Sequence, residues 1–328
     1  MVSGDSIYGG DQAVMKKISI GICCYNEEEN IELMYQAVTE KMRKLPEYDY
    51  EIIFEDNDSE DTSAQILRRI AENDKKVKVI INQTNFGPDR SGVNCMRHMS
   101  GDAYIGIPCD FQEPPEMIPE FIKEWESGHD IVWGQKVRSK ENPLKRICRN
   151  FFYFLIDLLS DYKQYRHVIG FGITDKKVLD VILQTMIQDP EINIRYAISE
   201  YGFDVKLIPY TQQKRLRGKS SYNFARYYSF AITSLCNTSI KPLRMMTVLG
   251  MFIALMSVVV ALFYLVYKLT HWNTFNAGMA PLIIGMFFFG AVQVFSIGLL
   301  GEYVGVLIRK VTDKPVVVEK ETINFEDK

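Results

Sequence analysis

The sequence predicts an α/β protein, with a mostly parallel sheet covered by helices on both faces and two membrane-crossing helices behind it. Three observations carry this. Residues 16–135 alternate β-rich and helical stretches, acidic or turn-forming clusters fall where the strands end, and two long uncharged runs lie near the C-terminus. Strands separated by helices imply right-handed crossovers and a sheet buried on both sides. In such sheets ligands bind beyond the strand C-termini.

Taken in order, residues 17–23 (KISIGIC) are β-rich and 30–43 form a helical pattern after an acidic start. Residues 50–55 (YEIIFE) read as strand, and 61–73 as a helix that Asp61 or Thr62 caps. Strand 77–81, a short helix over 89–99, strand 103–107, helix 115–127 and a strand beginning at 130–133 follow. Residues 143–165 set Phe151, Phe152, Phe154, Leu155, Leu158 and Leu159 beside Lys145, Arg146 and Arg149. That suits either a packed helix or one lying in a membrane interface, and the apolar runs downstream favour the interface. Residues 222–244 are similarly aromatic and lead into the first run as a juxtamembrane helix.

Residues 245–267 carry no charge, and 280–300 have Gln293 as their strongly polar side chain. As helices, both are long enough for a hydrocarbon core of roughly 30 Å. Lys241 and Arg244 precede the first, and Arg309, Lys310 and Lys314 follow the second. The connecting loop offers only Lys268 and His271. Positive-inside counting puts both ends, and the α/β domain, in the cytoplasm. The domain plan is a flexible leader over 1–15, a catalytic domain over 16–225, the juxtamembrane helix, a two-helix region over 245–308 and a cytoplasmic tail over 309–328. Localisation is then the inner (plasma) membrane, multi-pass. Residues 1–14 lack the basic and apolar regions of a secretory signal.

Composition narrows the function. The 328 residues are 47% hydrophobic and 24% charged, which excludes a disordered chain. Lys and Arg total 38 against 41 Asp and Glu, a net charge of −3 and no argument for a nucleic-acid partner. Cys23, Cys24, Cys95, Cys109, Cys148 and Cys236 show no C-x-x-C spacing and read as reduced thiols without a metal cluster.

Four clusters follow the strands. In Tyr25-Asn26-Glu27-Glu28-Glu29-Asn30, Tyr25 suits stacking on a base and Glu27 accepting hydrogen bonds, although an acidic helix start reads the same way. In 55–62 (EDNDSEDT), Asp56 suits a pyrimidine N–H, and a turn with a helix cap is the plainer reading. Asn85-Phe86-Gly87 suits a turn equally well. In 109–116 (CDFQEPPE), Asp110 and Gln112 point the same way on extended chain. A carboxylate and an amide oxygen there can share a hard cation whose remaining positions phosphates and water complete. The bland alternative is a helix-start loop with Pro115 in its first turn.

Together YNEEENI, EDNDSEDTS, NFG, CDFQEPPE, RLRGKSSY and GEYVGVLIRKVTDKPVVV, in this order, resemble the cytoplasmic-facing polyprenyl-phosphate glycosyltransferases of glycosyltransferase family 2. That family has the GT-A fold and includes dolichyl-phosphate mannose synthases and bactoprenol glucosyltransferases. The resemblance runs from about residue 16 to 320, and two apolar runs followed by G-E-Y-V-G are most similar to the bactoprenol branch. It implies nucleoside contacts from Tyr25, Glu27 and Asp56, with Asn85 and Gly87 in the nucleotide site. Asp110 and Gln112 would meet the metal (Mg²⁺ or Mn²⁺) and diphosphate. Arg215, Gly218 and Ser220 match an R-x-x-G-x-S loop near the phosphates, with Lys219 beside it. Lys136 and Arg138 resemble residues that meet the lipid phosphate, and Arg146 or Arg149 stand for the same role. The catalytic set is then Asp110, Arg215, Lys136 and Arg138.

The match departs from the family at Pro108, which replaces the first acidic residue of D-x-D, and at Gly170-Phe171-Gly172. The implied activity is transfer of a hexose or N-acetylhexosamine, UDP-linked, to undecaprenyl phosphate with inversion. A homo-oligomer and a flippase partner are further expectations. A degenerate, non-catalytic nucleotide-sugar scaffold is the alternative that Pro108 motivates. A processive polysaccharide synthase is another, but Trp125, Trp133 and Trp272 complete no Q-x-x-R-W motif.

Overall fold

The computed structural model describes residues 15–138, 154, 158, 165–188, 194–213, 239–271, 279–312 and 314–325. The chain divides into two compact units. The first is Met1–Lys140, His167–Lys219 and Pro315–Lys328, and the second is Glu141–Arg166 and Ser220–Lys314.

The first unit opens with β1 (Lys17–Cys24), α1 (Ile31–Arg43), β2 (Asp49–Asp56), α2 (Ser63–Asn73), β3 (Val77–Asn82), α3 (Pro88–Arg97) and β4 (Ala103–Gly106). A 3₁₀ turn at Pro115–Met117 leads into α4 (Ile118–Glu126) and β5 (Ile131–Arg138). Then come β6 (Val168–Asp175), α5 (Lys176–Gln188), α6 (Ile194–Tyr201), β7 (Val205–Thr211) and, at the end of the chain, β8 (Glu319–Ile323). The sheet has eight strands in the order β7-β5-β6-β4-β1-β2-β3-β8.

The core explains why these segments form strands. Ile18, Ile20 and Ile22 of β1, Ile52 and Phe54 of β2 and Val77 and Val79 of β3 are buried in one cluster with Ile31, Met34, Val38 and Met42 of α1. That three-and-four spacing gives α1 its apolar stripe. Helix α1 touches α2 and α4, whereas α3 packs on β1 and β2 and against α5. Alternate residues of β1 therefore face α3, among them Gly21, where a Cβ would overlap the Tyr104 ring.

The sheet is mixed, with four of its seven strand pairs parallel. β1–β2, β1–β4, β2–β3 and β5–β7 pair parallel, while β3–β8, β4–β6 and β5–β6 pair antiparallel. The physical reason is local. β6 and β8 re-enter the sheet from its opposite end, so each must run against its neighbour. Residues 319–323, within the stretch assigned by sequence to a cytoplasmic tail, thus form a strand of the sheet. Val316 and Val317 are buried, and β8 covers the edge of β3.

Registers also fix where the strands end. Cys24 lies opposite Asp56, Asp56 opposite Ile81, and Gly106 opposite Gly172. Gln135 lies opposite Val168, Lys136 opposite Tyr210, and Asn82 opposite Glu319. The C-termini of β1–β5 and β7 and the N-termini of β6 and β8 therefore share one rim.

In the second unit, α7 (Lys241–Thr270) and α8 (Met279–Val311) are long and apolar enough to cross a membrane. Tyr303 of α8 donates its hydroxyl to the Ser239 carbonyl at 2.7 Å. The expected interfacial helix over 143–165 lies almost wholly outside the described residues, as does the juxtamembrane stretch up to 238.

Candidate active site

The β1–α1 and β2–α2 loops hold each other. Asn26, in the left-handed region at φ 54°, donates its N–H to Ser59 Oγ at 2.9 Å and accepts the Glu60 N–H at 2.8 Å. Glu27 donates its N–H to Ser63 Oγ at 3.1 Å, and its carboxylate accepts Asn30 Nδ2 at 2.5 Å. Glu28 receives both the N–H and the hydroxyl of Thr62. Between these clamps Tyr25 stays 37% exposed. Asp56 is buried at the end of β2, with one carboxylate oxygen taking the Ser59 hydroxyl and the other the Ser59 N–H. Burial pushes its carboxyl above the usual range, Ser59 opposes this, and Asp61 and Asp58 push it further up.

Asn57 joins this loop to the next. Its Nδ2 donates to Asn85 Oδ1 at 2.9 Å, and its Oδ1 accepts the Phe86 N–H at 2.8 Å. Asn85 Oδ1 also takes the Gly87 N–H at 3.0 Å. Gly87 has φ 86°, a conformation glycine adopts without strain, and Pro88 then starts α3.

The loop after β4 turns at Phe111, φ 58°. Asp110, only 7% exposed, accepts the Gln112 N–H on Oδ1 at 3.1 Å. Gln112 Oε1 accepts Gln212 Nε2 at 2.8 Å, and the Gln112 carbonyl accepts the Gln213 N–H at 3.0 Å. Glu113 is buried and accepts the Tyr210 hydroxyl and Gln212 Nε2, each at 3.1 Å. Burial and then the neighbouring Asp110 raise its pKa, while Tyr210, Gln212 and Lys136 pull it down. Tyr210 stands edge-on to Phe171, and Phe171 edge-on to Phe121, so a column of buried rings backs this carboxylate.

A cation site can be tested on these groups. Among the described residues no three of His, Cys, Asp and Glu converge as a ready-made metal cluster. The donors present are the Asp110 carboxylate and the Gln112 amide oxygen, which keeps a second lone pair, although the turn at Phe111 replaces the extended backbone that would have pointed them the same way. Hard oxygen donors in that small number fit Mg²⁺ or Mn²⁺ whose other positions belong to a diphosphate and water.

Of the residues singled out by sequence, Tyr25, Glu27, Asp56, Asn85, Gly87, Asp110, Gln112 and Lys136 belong to the rim of one unit. Arg138 closes β5 opposite Thr211. Arg146, Arg149, Arg215, Gly218, Lys219 and Ser220 lie outside the described residues. Asn57, Ser59, Glu113, Tyr210 and Gln212 were not singled out. Glu113 stands within a quoted motif, but its partners are 97 and 99 residues away, and no local pattern signals them.

An α/β sheet whose motif loops meet at one rim, with carboxylates at two of its strand ends, has the GT-A arrangement of glycosyltransferases. The glycosyl transferase family 2 model matches residues 19–183, and the chain belongs to that family. A bactoprenol glucosyl transferase of Shigella phage SfII is 30% identical over 93% of this chain and 98% of its own length. A prophage bactoprenol glucosyl transferase homolog of Escherichia coli K12 is 29% identical over 88% of this chain and 94% of its own. Among solved structures, Staphylococcus aureus TarS 1–349 with UDP-GlcNAc aligns with TM-score 0.42 at 15% identity, over 67% of this chain and 65% of that one.

Proposed function

We propose that the protein transfers a hexose or N-acetylhexosamine from a UDP-linked sugar to a polyprenyl phosphate, undecaprenyl phosphate in a bacterium, on the cytoplasmic face of the inner membrane. The observation that carries this reading is the shared rim, where the Tyr25, Asp56 and Asp110 loops end, in a chain that also has two helices apolar enough to cross a membrane. The near full-length match to bactoprenol glucosyl transferases supports the lipid acceptor. The large apolar side chains of α7 and α8 are mostly exposed, which a soluble core helix would not tolerate and lipid would.

In this reading Tyr25 stacks on the base, Asp56 accepts its N–H, and Ser59 orients the carboxylate by holding both oxygens. Glu27, Asn85 and Gly87 complete the nucleotide side. Asp110 and Gln112 face the diphosphate and would hold the Mg²⁺ or Mn²⁺, which supplies offsetting charge for the departing group. The acceptor phosphate is already largely anionic at neutral pH, its second pKa being about 6 like that of other phosphomonoesters. It needs no general base. A phosphate oxygen attacks the anomeric carbon in line, the bond to the diphosphate oxygen breaks, and UDP leaves with the electron pair, inverting the centre. Arg215, Lys219 and the Lys136/Arg138 pair reduce repulsion between two anionic substrates, Ser220 belongs to the loop near the phosphates, and Arg146 or Arg149 meets the lipid phosphate.

The test is a panel of radiolabelled nucleotide sugars with undecaprenyl phosphate and purified full-length protein. One donor is expected to yield chloroform-soluble label that disappears with EDTA and falls at least 100-fold in Asp110→Ala. Full turnover by Asp110→Ala would refute the site. Nucleotide sugar bound but never consumed would mark a non-catalytic scaffold instead.

A further inference from the structure

The final strand does more than close a sheet edge. Its entry segment lies along α3, the helix that begins at the Asn85–Gly87 turn. Arg90 donates Nη2 to the Pro315 carbonyl at 2.7 Å. Asn94 donates Nδ2 to Glu319 Oε1 at 2.9 Å, and His98 Nε2 lies 3.3 Å from the same oxygen. Residues 90, 94 and 98 recur every four positions, so one stripe of α3 faces this segment. Just before the turn, the Gln83 N–H donates to the Val318 carbonyl at 2.8 Å. Arg90 also stacks over the Phe86 ring at 5.0 Å. Further along, Arg68 makes a two-pronged ion pair with Glu321, and Asn324 donates to the Ala71 and Val77 carbonyls. The segment thus grips both sides of residues 83–90 at the rim and is anchored separately at its far end.

We propose that residues 315–325 are a clamp that positions the 83–87 loop for donor binding, with Glu319 as the positioning residue. This rests on the reading of that loop as part of the nucleotide site. A loop supported only by Asn57 would sample more conformations, and each donor encounter would have to order it afresh.

The experiment uses full-length protein with Glu319→Ala, Glu319→Gln and Arg68→Ala. Hydrogen exchange of residues 83–91 is read first, because it needs no substrate. Glu319→Ala is expected to speed exchange there, while Glu319→Gln, which keeps an oxygen for Asn94, stays near wild type. Donor KM is expected to rise about fivefold in Glu319→Ala with kcat little changed. Arg68→Ala removes the far anchor together with a positive charge that acts on Asp56, so it is read by exchange alone and is expected to leave residues 83–91 near wild type. Unchanged exchange in Glu319→Ala overturns the clamp, and so does faster exchange with an unchanged KM, the mark of a purely structural strand. If wild type consumes no nucleotide sugar, the proposed activity falls, and the exchange comparison still decides whether the clamp exists.

Discussion

Glu55 and Asp56 are neighbours at the end of β2, and strand alternation sends them to opposite faces. Asp56 belongs to the rim, whereas Glu55 is 0% exposed beneath α3. There it accepts Asn82 Nδ2 at 2.8 Å and the Cys95 thiol at 3.4 Å. Burial dominates and lifts the Glu55 carboxyl from about 4.5 to about 7, against hydrogen bonds from Asn82, Cys95, Asn94 and Ser91. The folded state then keeps a proton that the unfolded chain releases. Stability from this group is full below about 4.5 and is lost as pH rises to about 7, an effect on the order of 3 kcal/mol. Glu55→Gln keeps the acceptor oxygen without the charge. Urea titrations at pH 5 and pH 8 are expected to show the variant gaining on wild type at pH 8, with a flatter profile between. An unchanged profile would mean that Glu55 is ionised throughout. Nothing in EDNDSEDTS tells which acid lies beneath α3 and which at the rim, because its acidic residues look alike until a sheet gives them faces.

At the scale of elements, the departure at Gly170-Phe171-Gly172 has a packing cause. Gly172 pairs with Gly106 on one side and Trp133 on the other, and a Cβ there would lie 2.1 Å from the Val132 carbonyl oxygen. Its φ of 144° also disfavours a side chain. Only glycine lets β5 approach β6 this closely, which in turn sets Phe171 against Tyr210 and Tyr210 against Glu113. Gly172→Ala is expected to cost roughly 2–4 kcal/mol in a denaturant melt, and a neutral result would refute the close approach. The early strands and helices were legible because apolar residues recur at the right periods. β8 was not, since EKETI carries little apolar signal and becomes a strand through the open edge of β3 and the pairing of Arg68 with Glu321.

For the whole molecule, the positions of Lys and Arg around α7 and α8 predict that both ends of the chain share the cytoplasmic side. An alkaline phosphatase inserted within 272–278 is expected to be active, and one fused after residue 328 inactive. Activity at the C-terminus would place the rim on the wrong face for cytoplasmic nucleotide sugars. The rim itself is a property of the whole molecule. Four successive strand–loop–helix units bring Tyr25, Asp56, Asn85 and Asp110 to one end, a placement that alternation in the sequence already implied. The support for Gln112 and Glu113 from Gln212 and Tyr210 depended on β7, which lies three positions from β4 in the sheet order.

The sequence by itself determined the α/β class, the order of the motif loops and two helices apolar enough for lipid, because hydrophobic period, turn residues and uncharged length are local properties of a chain. Only the tertiary structure decided that β6 and β8 run antiparallel to their neighbours, that Pro315 and Glu319 contact α3, and which acids of each cluster are buried. Those outcomes depend on contacts between residues scores of positions apart, and a contact of that kind leaves no period in the sequence to read.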